Sequence, residues 1–189
     1  MLIADETLQL RALSADDIPA LQMFYDANPE YSLMTSGRAP LPDEAHEDFH
    51  ARPPADWPQG RKWMIGIFDD GSLIGVADVI ANLFATHIWH VGYFMVATAR
   101  YGDGTAPSAY ALLERWMQSQ GATWLRLGVV VGNARAERFW SRVGYVEVRQ
   151  RSGIEMGVRV NVIRVMVRAL SDETLATYLE KVARDRPEN

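Results

Sequence analysis

Ile88 to Val96 reads as a strand that runs into Arg100-Tyr101-Gly102-Asp103-Gly104-Thr105-Ala106 and then into a helix reaching about Ser119. Ala109, Leu112, Leu113 and Trp116 fall on one face of that helix. Two glycines and a small residue ahead of a helix let several backbone N–H groups converge where an anion can sit. The same glycines also suit a tight connection that needs only their backbone freedom. A dinucleotide fingerprint would require glycine or alanine where Pro107 stands, and the Gly-Lys-Ser/Thr of a nucleotide-hydrolase phosphate loop is absent. Both nucleotide readings weaken.

Around this segment the chain alternates strand and helix. Leu8 to Leu13 is a short strand, and Ser14 with Asp17 forms a capping pair for a helix through Ile18, Leu21, Phe24 and Tyr25 that ends at Asn28-Pro29. Tyr31 to Gly60 holds Pro40, Pro42, Pro53, Pro54 and Pro58 around one short helix, Asp43 to His50, and reads as a variable loop region. Lys62 to Phe68 and Ser72 to Ile80 flank Asp69-Asp70-Gly71, the signature of an antiparallel hairpin. Trp124 to Val131 is a buried strand and Asn133 to Val143 a helix. Tyr145 to Gln150 and Val160 to Arg168 are two strands before a terminal helix. There is no internal repeat.

Length and charge remove whole classes of function. A chain of 189 residues with 48% hydrophobic residues suits one domain, 1–189, with a core of its own. Nineteen Lys and Arg against 24 Asp and Glu give a net charge of −5, which offers no footprint for nucleic acid. No cysteine is present, so disulfides, thiolate nucleophiles and cysteine metal sites are excluded and no metal is expected. Met1 to Gln9 carries acids and no long apolar run, so no signal peptide, membrane anchor or membrane partner is expected and the protein reads as cytoplasmic.

Val91-Gly92-Tyr93-Phe94-Met95-Val96, then Gly102-Asp103-Gly104-Thr105-Ala106, then Asn133-Ala134-Arg135-Ala136-Glu137-Arg138-Phe139-Trp140-Ser141-Arg142-Val143-Gly144-Tyr145 resembles the GNAT superfamily of N-acetyltransferases. The element order agrees along the whole chain, and the specific motifs occupy Trp89 to Tyr145. The resemblance implies an α/β fold, a strongly twisted mixed sheet splayed at its centre and flanked by helices, with the pantetheine arm of acetyl-coenzyme A in the gap. It implies that the backbone of Phe94 and Val96 holds pantetheine. By the same resemblance the N–H groups of Gly102, Asp103, Gly104, Thr105 and Ala106 hold the pyrophosphate, and Asn133 reaches pantetheine from its helix start.

The chain departs from that family pattern at three places. Tyr101 stands where Arg or Gln is usual, with Arg100 displaced by one residue, and Asp103 sets a carboxylate beside the phosphate cradle. Trp140 stands where a tyrosine often protonates the leaving thiolate, and an indole N–H is no usable acid. The thiolate of an ordinary thiol, with a pKa of about 8.5, can take its proton from water. The implied reaction is direct attack of a neutral amine on the thioester, with Met95 N–H as the oxyanion donor and His90 as the base; Asp78 is a candidate to orient or replace His90. Tyr25, Tyr31, Phe49, Trp57 and Trp89 are candidates to line the acceptor pocket. The acceptor is a small-molecule amine or a peptide amine, and a homodimer is left open. A non-catalytic coenzyme A binding or sensing module is the alternative function.

Overall fold

The computed structural model describes residues 1–53 and 60–187. Trp57, expected near the acceptor, lies outside the described residues. The sheet grows outward from the hairpin of β3 (Arg61–Asp69) and β4 (Ser72–Ala81), which turns at Asp70 and Gly71, both at positive φ. β1 (Ile3–Ala4) and β2 (Leu8–Ala12) extend it antiparallel on one side, and β5 (Ile88–Val96) on the other. The chain then crosses over through α4 (Thr105–Ser119), so β6 (Trp124–Val130) lies parallel to β5. β7 (Val146–Met156) and β8 (Arg159–Ala169) form a closing hairpin in which β8 pairs with β6. Among the described residues the strand order is β1-β2-β3-β4-β5-β6-β8-β7. The fold is the expected mixed α/β sheet flanked by helices.

Two elements depart from the sequence expectation. The stretch after Pro29 forms a helix, α2 (Glu30–Thr35), where a loop was expected. The last hairpin is also longer than its apolar alternation suggests. Arg151, Ser152 and Gly153 interrupt the pattern, yet β7 absorbs them through register shifts between Glu147 and Arg149 and between Arg151 and Ile154.

Side-chain alternation divides the core between the sheet's two faces. One face carries α4 and α5 (Ala134–Arg142) over Ile65, Val91, Leu125 and Leu127. The other carries α1 (Ile18–Ala27), α2 and α3 (Glu44–His50) over Met64, Val76 and Met95, and α6 (Leu175–Lys181) over Ile88, Trp124 and Val165. Trp89 belongs to the α4 face, buried, stacked on Trp63 and edge-on to Trp116, so it is a core residue.

The parallel pairing of β5 with β6 runs from Ile88↔Trp124 to Val91↔Leu127 and stops there, although both strands continue. Gly92 is skipped in the β4 register, since Tyr93 pairs with Asp78 and Val91 with Val79. This bulge turns β5 away from β6. Gly92 and Gly128, the residues just past the last pair, are exposed within otherwise buried strands. They floor an open gap.

Below the gap a buried ion pair fastens the C-terminal segment to β6. Arg126 on β6 donates from Nε and Nη2 to Asp185 at 2.7 and 3.0 Å, and Tyr178 OH donates to the same carboxylate at 2.7 Å. Burial pushes the Asp185 carboxyl up, but the Arg126 bonds and charge outweigh it and hold its pKa below the usual range. This contribution is therefore present above the ordinary carboxylate pKa and is lost as pH falls through the lowered value. Asp185→Ala leaves Arg126 buried without its anion, and denaturant unfolding is expected to show a loss of about 3–5 kcal/mol.

Candidate functional site

Backbone direction decides which groups face the gap. Ala97 N–H bonds to Ile74 O at 2.8 Å, so in the β4–β5 ladder Met95 and Val76 are a hydrogen-bonded pair and Phe94 and Val96 are not. Phe94 and Val96 therefore turn their N–H and C=O groups away from β4, into the gap. Met95 N–H is committed to β4, which corrects its expected role as oxyanion donor. The Phe94 ring meanwhile packs on the α5 side, stacked on Phe139 at 5.9 Å and edge-on to Tyr110 and Trp140. Trp140 is buried in this aromatic group and presents no acid.

At the mouth of the gap the chain turns through Gly102 and Gly104, at φ 87° and 93°, into the N-terminus of α4. A Cβ at either glycine would meet no atom within 4 Å, so the space above the turn is open. The positive φ requires glycine; the packing does not. Thr105 N–H is engaged by Asp103 Oδ1 at 2.8 Å, so the exposed carboxylate caps the helix amide that the phosphate would use. Arg100 bonds Asp69 at 2.7 Å and also faces Asp103 at 3.8 Å. A cation that sequence reading passed over stands nearby: Arg135, in the first turn of α5, lies over the Tyr101 ring at 3.9 Å. Asn133 Oδ1 caps α5 through Ala136 N–H at 3.2 Å. Asn133 thus starts its helix on the side of the gap opposite Phe94 and Val96. The open turn, the two outward-facing amides and these cations fit an extended, anionic thioester carrier.

On the other face, a polar cluster borders the glycine floor. Asp78 on β4 packs against Gly92, where a Cβ would lie 3.1 Å from the carboxyl carbon. Lys62 Nζ is 3.3 Å from Asp78 Oδ2 and donates to Asp48 O at 2.5 Å. Asp78 Oδ1 is buried and has no hydrogen-bond partner among the described residues. Burial raises the Asp78 pKa to about 6, opposed by the Lys62 cation and aided by the Asp48 charge. Asp48 accepts Tyr25 OH at 2.9 Å, and Tyr25 OH bonds Tyr93 OH in turn. Tyr31 adds its ring 5.8 Å from that of Tyr93, and Phe49 packs against the same cluster. Of the expected pocket aromatics, Tyr25, Tyr31 and Phe49 meet here. Lys62, Asp48 and Tyr93 were not anticipated.

His90 is on the same face but lower. Arg126 Nη1 approaches its Nδ1 at 3.4 Å, and burial together with that cation lowers its pKa to about 3. An imidazole of such low proton affinity is a weak base at neutral pH. A cavity of about 630 Å³ on the flank of α4, lined by Tyr110, Glu114, Arg142 and Arg168, contains none of the expected coenzyme residues and lies apart from this chemistry. Because Lys62 opposes the rise in the Asp78 pKa, Lys62→Met is expected to move it further upward; a residue-resolved carboxyl NMR titration of parent and variant reads the shift, and an unchanged value would show the two groups to be uncoupled.

A family model described as an acetyltransferase (GNAT) domain matches residues 7–146. Among solved structures, the chain is similar to an acetyltransferase from Thermus thermophilus, at 20% identity and TM-score 0.69 over 87% of this chain and 97% of that one. It is similar to spermidine N-acetyltransferase from Vibrio cholerae in complex with CoA and spermine, at 18% identity and TM-score 0.66 over 87% and 96%. It is also similar to the acetyl transferase from Salmonella typhimurium that modifies the N-terminal serine of ribosomal protein L7/L12, at 15% identity and TM-score 0.71 over 88% and 97%. No curated protein matches the sequence. The structural likenesses speak for the fold, and the family match spans the hairpin, the gap and both coenzyme motifs: the chain belongs to the GNAT acetyltransferase family, whose general activity is acetyl transfer from acetyl-coenzyme A.

Proposed function

We propose that the protein transfers an acetyl group from acetyl-coenzyme A to a primary amine bound on the α1–α3 face, with Asp78 as the general base. The observation that carries this reading is the buried Asp78 Oδ1, unpartnered among the described residues, beside the glycine floor of the gap. A buried acceptor atom without a donor is costly unless something arrives to bond it, and an alkylammonium supplies such a donor.

The coenzyme supplies an acetyl thioester as electrophile. Phe94 and Val96 hold its pantetheine amides through their gap-facing backbone groups, Asn133 contacts it from the start of α5, and the amides of Gly102, Asp103, Gly104 and Ala106 take the pyrophosphate, joined by Thr105 N–H once Asp103 releases it, with Arg135 and Arg100 adding positive charge. The Asp78 carboxylate receives the proton that the ammonium must lose before the nitrogen can attack. With a pKa of about 6 it is ionised at pH 7, and it is a far stronger proton acceptor there than His90. Phe94 N–H, aimed into the gap, stabilises the developing oxyanion. The departing thiolate takes its proton from water, since Trp140 has none to give.

One observation favours the second reading, a module that binds coenzyme A without turnover: Trp140 replaces the usual acid. Turnover with an amine panel separates the two readings. Under the enzymatic one, kcat/KM rises with pH through about 6 as Asp78 ionises and then levels. Asp78→Asn is expected to lower kcat by roughly 100- to 10,000-fold, the range of general-base catalysis, while acetyl-coenzyme A still raises Tm. His90→Gln is expected to leave the profile in place. A silent Asp78→Asn variant would sink the assignment of the base.

The coenzyme site has its own test. Gly104→Ala strains the positive φ and reduces the coenzyme-induced rise in Tm, whereas Gly104→Asp adds a repelling carboxylate and abolishes it. A full rise in the aspartate variant would place the pyrophosphate elsewhere.

A further inference from the structure

The two banks of the acceptor floor carry opposite charge. On the β4 bank stand Asp78 and, from α3, Asp48, with Lys62 held between Asp78 Oδ2 and Asp48 O. On the β6 bank the pairing carries the same face outward through β8 to β7. Gly128 lies opposite Val165 and Val165 opposite Arg149, while Val130 lies opposite Ile163 and Ile163 opposite Arg151. Residues opposite each other on neighbouring strands share a face of the sheet. A Cβ at Gly128 would lie 2.8 Å from Ile163 Cγ2 on this face, and Asn161, two residues before Ile163, reaches α2 from it through Thr35 O at 2.8 Å. Among the described residues, the positions of β6, β8 and β7 on this face carry Arg126, Arg149 and Arg151 and no carboxylate.

The turn Ala183–Asp185 adds a fourth guanidinium, Arg184. It lies 4.3 Å from the centroid of the Phe84 ring, and Arg126 lies 5.0 Å from the same centroid, so Arg184 sits on the gap side of the group. Arg149 Nη1 donates to Arg184 O at 2.7 Å. Burial lowers the Arg184 pKa, and the charges of Arg151, Arg126 and Arg149 lower it further, against the pull of Asp185. The cations therefore converge. Arg126 is committed to Asp185, whereas Arg151, half-buried, makes no hydrogen bond or ion pair among the described residues. Converging guanidinium groups favour an anion between them, and their planar forks match the oxygens of carboxylate and phosphate.

We propose that Arg151, backed by Arg149 and Arg184, binds an anionic group of the acceptor, so that the substrate is an amine carrying a carboxylate or phosphate at its other end. The β4 bank takes the ammonium and the β7 bank the anion. The backbones of Asp78 and Arg151 are four strand spacings apart, about 19 Å. With both side chains reaching inward, the two charges of the acceptor stand several bonds apart, and the α-carboxylate of an amino acid is too close to its amine to serve both banks. This proposal rests on the reading that the amine binds beside Asp78.

The test uses the intact protein, acetyl-coenzyme A and three series of acceptors of increasing chain length: n-alkylamines, ω-aminocarboxylates and ω-aminoalkyl phosphates. In the parent, kcat/KM for the best anionic amine is expected to exceed that of the alkylamine of equal length by about tenfold or more, mainly through KM. Comparison of the two anionic series tells which anion fits. Arg151→Met keeps the apolar stem and removes the charge, and it is expected to bring this ratio near one while the coenzyme-induced rise in Tm persists. A parent that treats alkylamines and anionic amines alike would overturn the proposal and leave Asp78 standing as base, and so would an unchanged ratio in a folded Arg151→Met variant. If no amine is acetylated while the coenzyme raises Tm, the reading of Asp78 as base fails, and calorimetry of ε-aminocaproate on the coenzyme A complex decides the anion site separately. Binding weakened about tenfold by Arg151→Met upholds it. Equal binding by the two proteins, or none by the parent, overturns it.

Discussion

The end of pairing between β5 and β6 after Val91↔Leu127 is the constraint on which the rest of the molecule is arranged. Two central parallel strands that part leave backbone groups without ladder partners, and buried polar groups of that kind must find others. Here the separation is imposed locally. The bulge at Gly92 rotates β5, and Gly128 leaves the facing position on β6 without a side chain. Phe94 and Val96 then present their backbone amides along one wall of the gap. Such a split weakens the centre of a sheet, and the fold compensates on both sides of it. Arg126 and Asp185 lock the C-terminal segment beneath the gap, and α2 spans it above.

The same gap sets the electrostatics. Polar side chains are brought to its edge by strands whose neighbouring residues are apolar, so they are partly removed from water. Asp78 keeps one oxygen on Lys62 and, among the described residues, leaves the other unbonded; burial raises its pKa, against the Lys62 cation, toward the range useful for accepting a proton near neutrality. His90, only a few residues from the gap on β5, loses proton affinity instead, through burial and the neighbouring Arg126 cation. Burial disfavours the charged form of both groups, so it raises the carboxyl and lowers the imidazole. Two candidate bases on one face are thus set apart, and only the carboxylate is left near the useful range.

Much of this was legible in the sequence, and what was not has identifiable causes. The strand, the Gly102–Ala106 turn and the Asn133 cap were readable because backbone geometry dictates residue type there. The direction of the Met95 amide was not, because it depends on how β4 and β5 pair, and the bulge at Gly92 resets that parity. Lys62 was hidden for a related reason. Continued from the Asp69-Asp70-Gly71 turn, the register sets Met64 opposite Ala77; the irregularity between Ile67 and Phe68 shifts it to Asp78, with Lys62 two residues along on the same face. Asp48 and α2 were hidden because they come from the proline-rich stretch, whose order is created by contacts with β3, Thr98 and the last hairpin and not by local propensity. Arg135 escaped notice because its role arises from stacking on Tyr101, a contact between segments far apart in sequence.

Residue-resolved amide exchange with and without acetyl-coenzyme A tests the central claim most directly. Under this account, Phe94 and Val96 N–H face an open gap in the free protein and gain strong protection on binding. Met95 N–H is already bonded to β4 and changes little. If the coenzyme binds, as its effect on Tm would register, and Phe94 and Val96 exchange as before, then the gap between β5 and β6 does not hold the pantetheine arm and the account is contradicted.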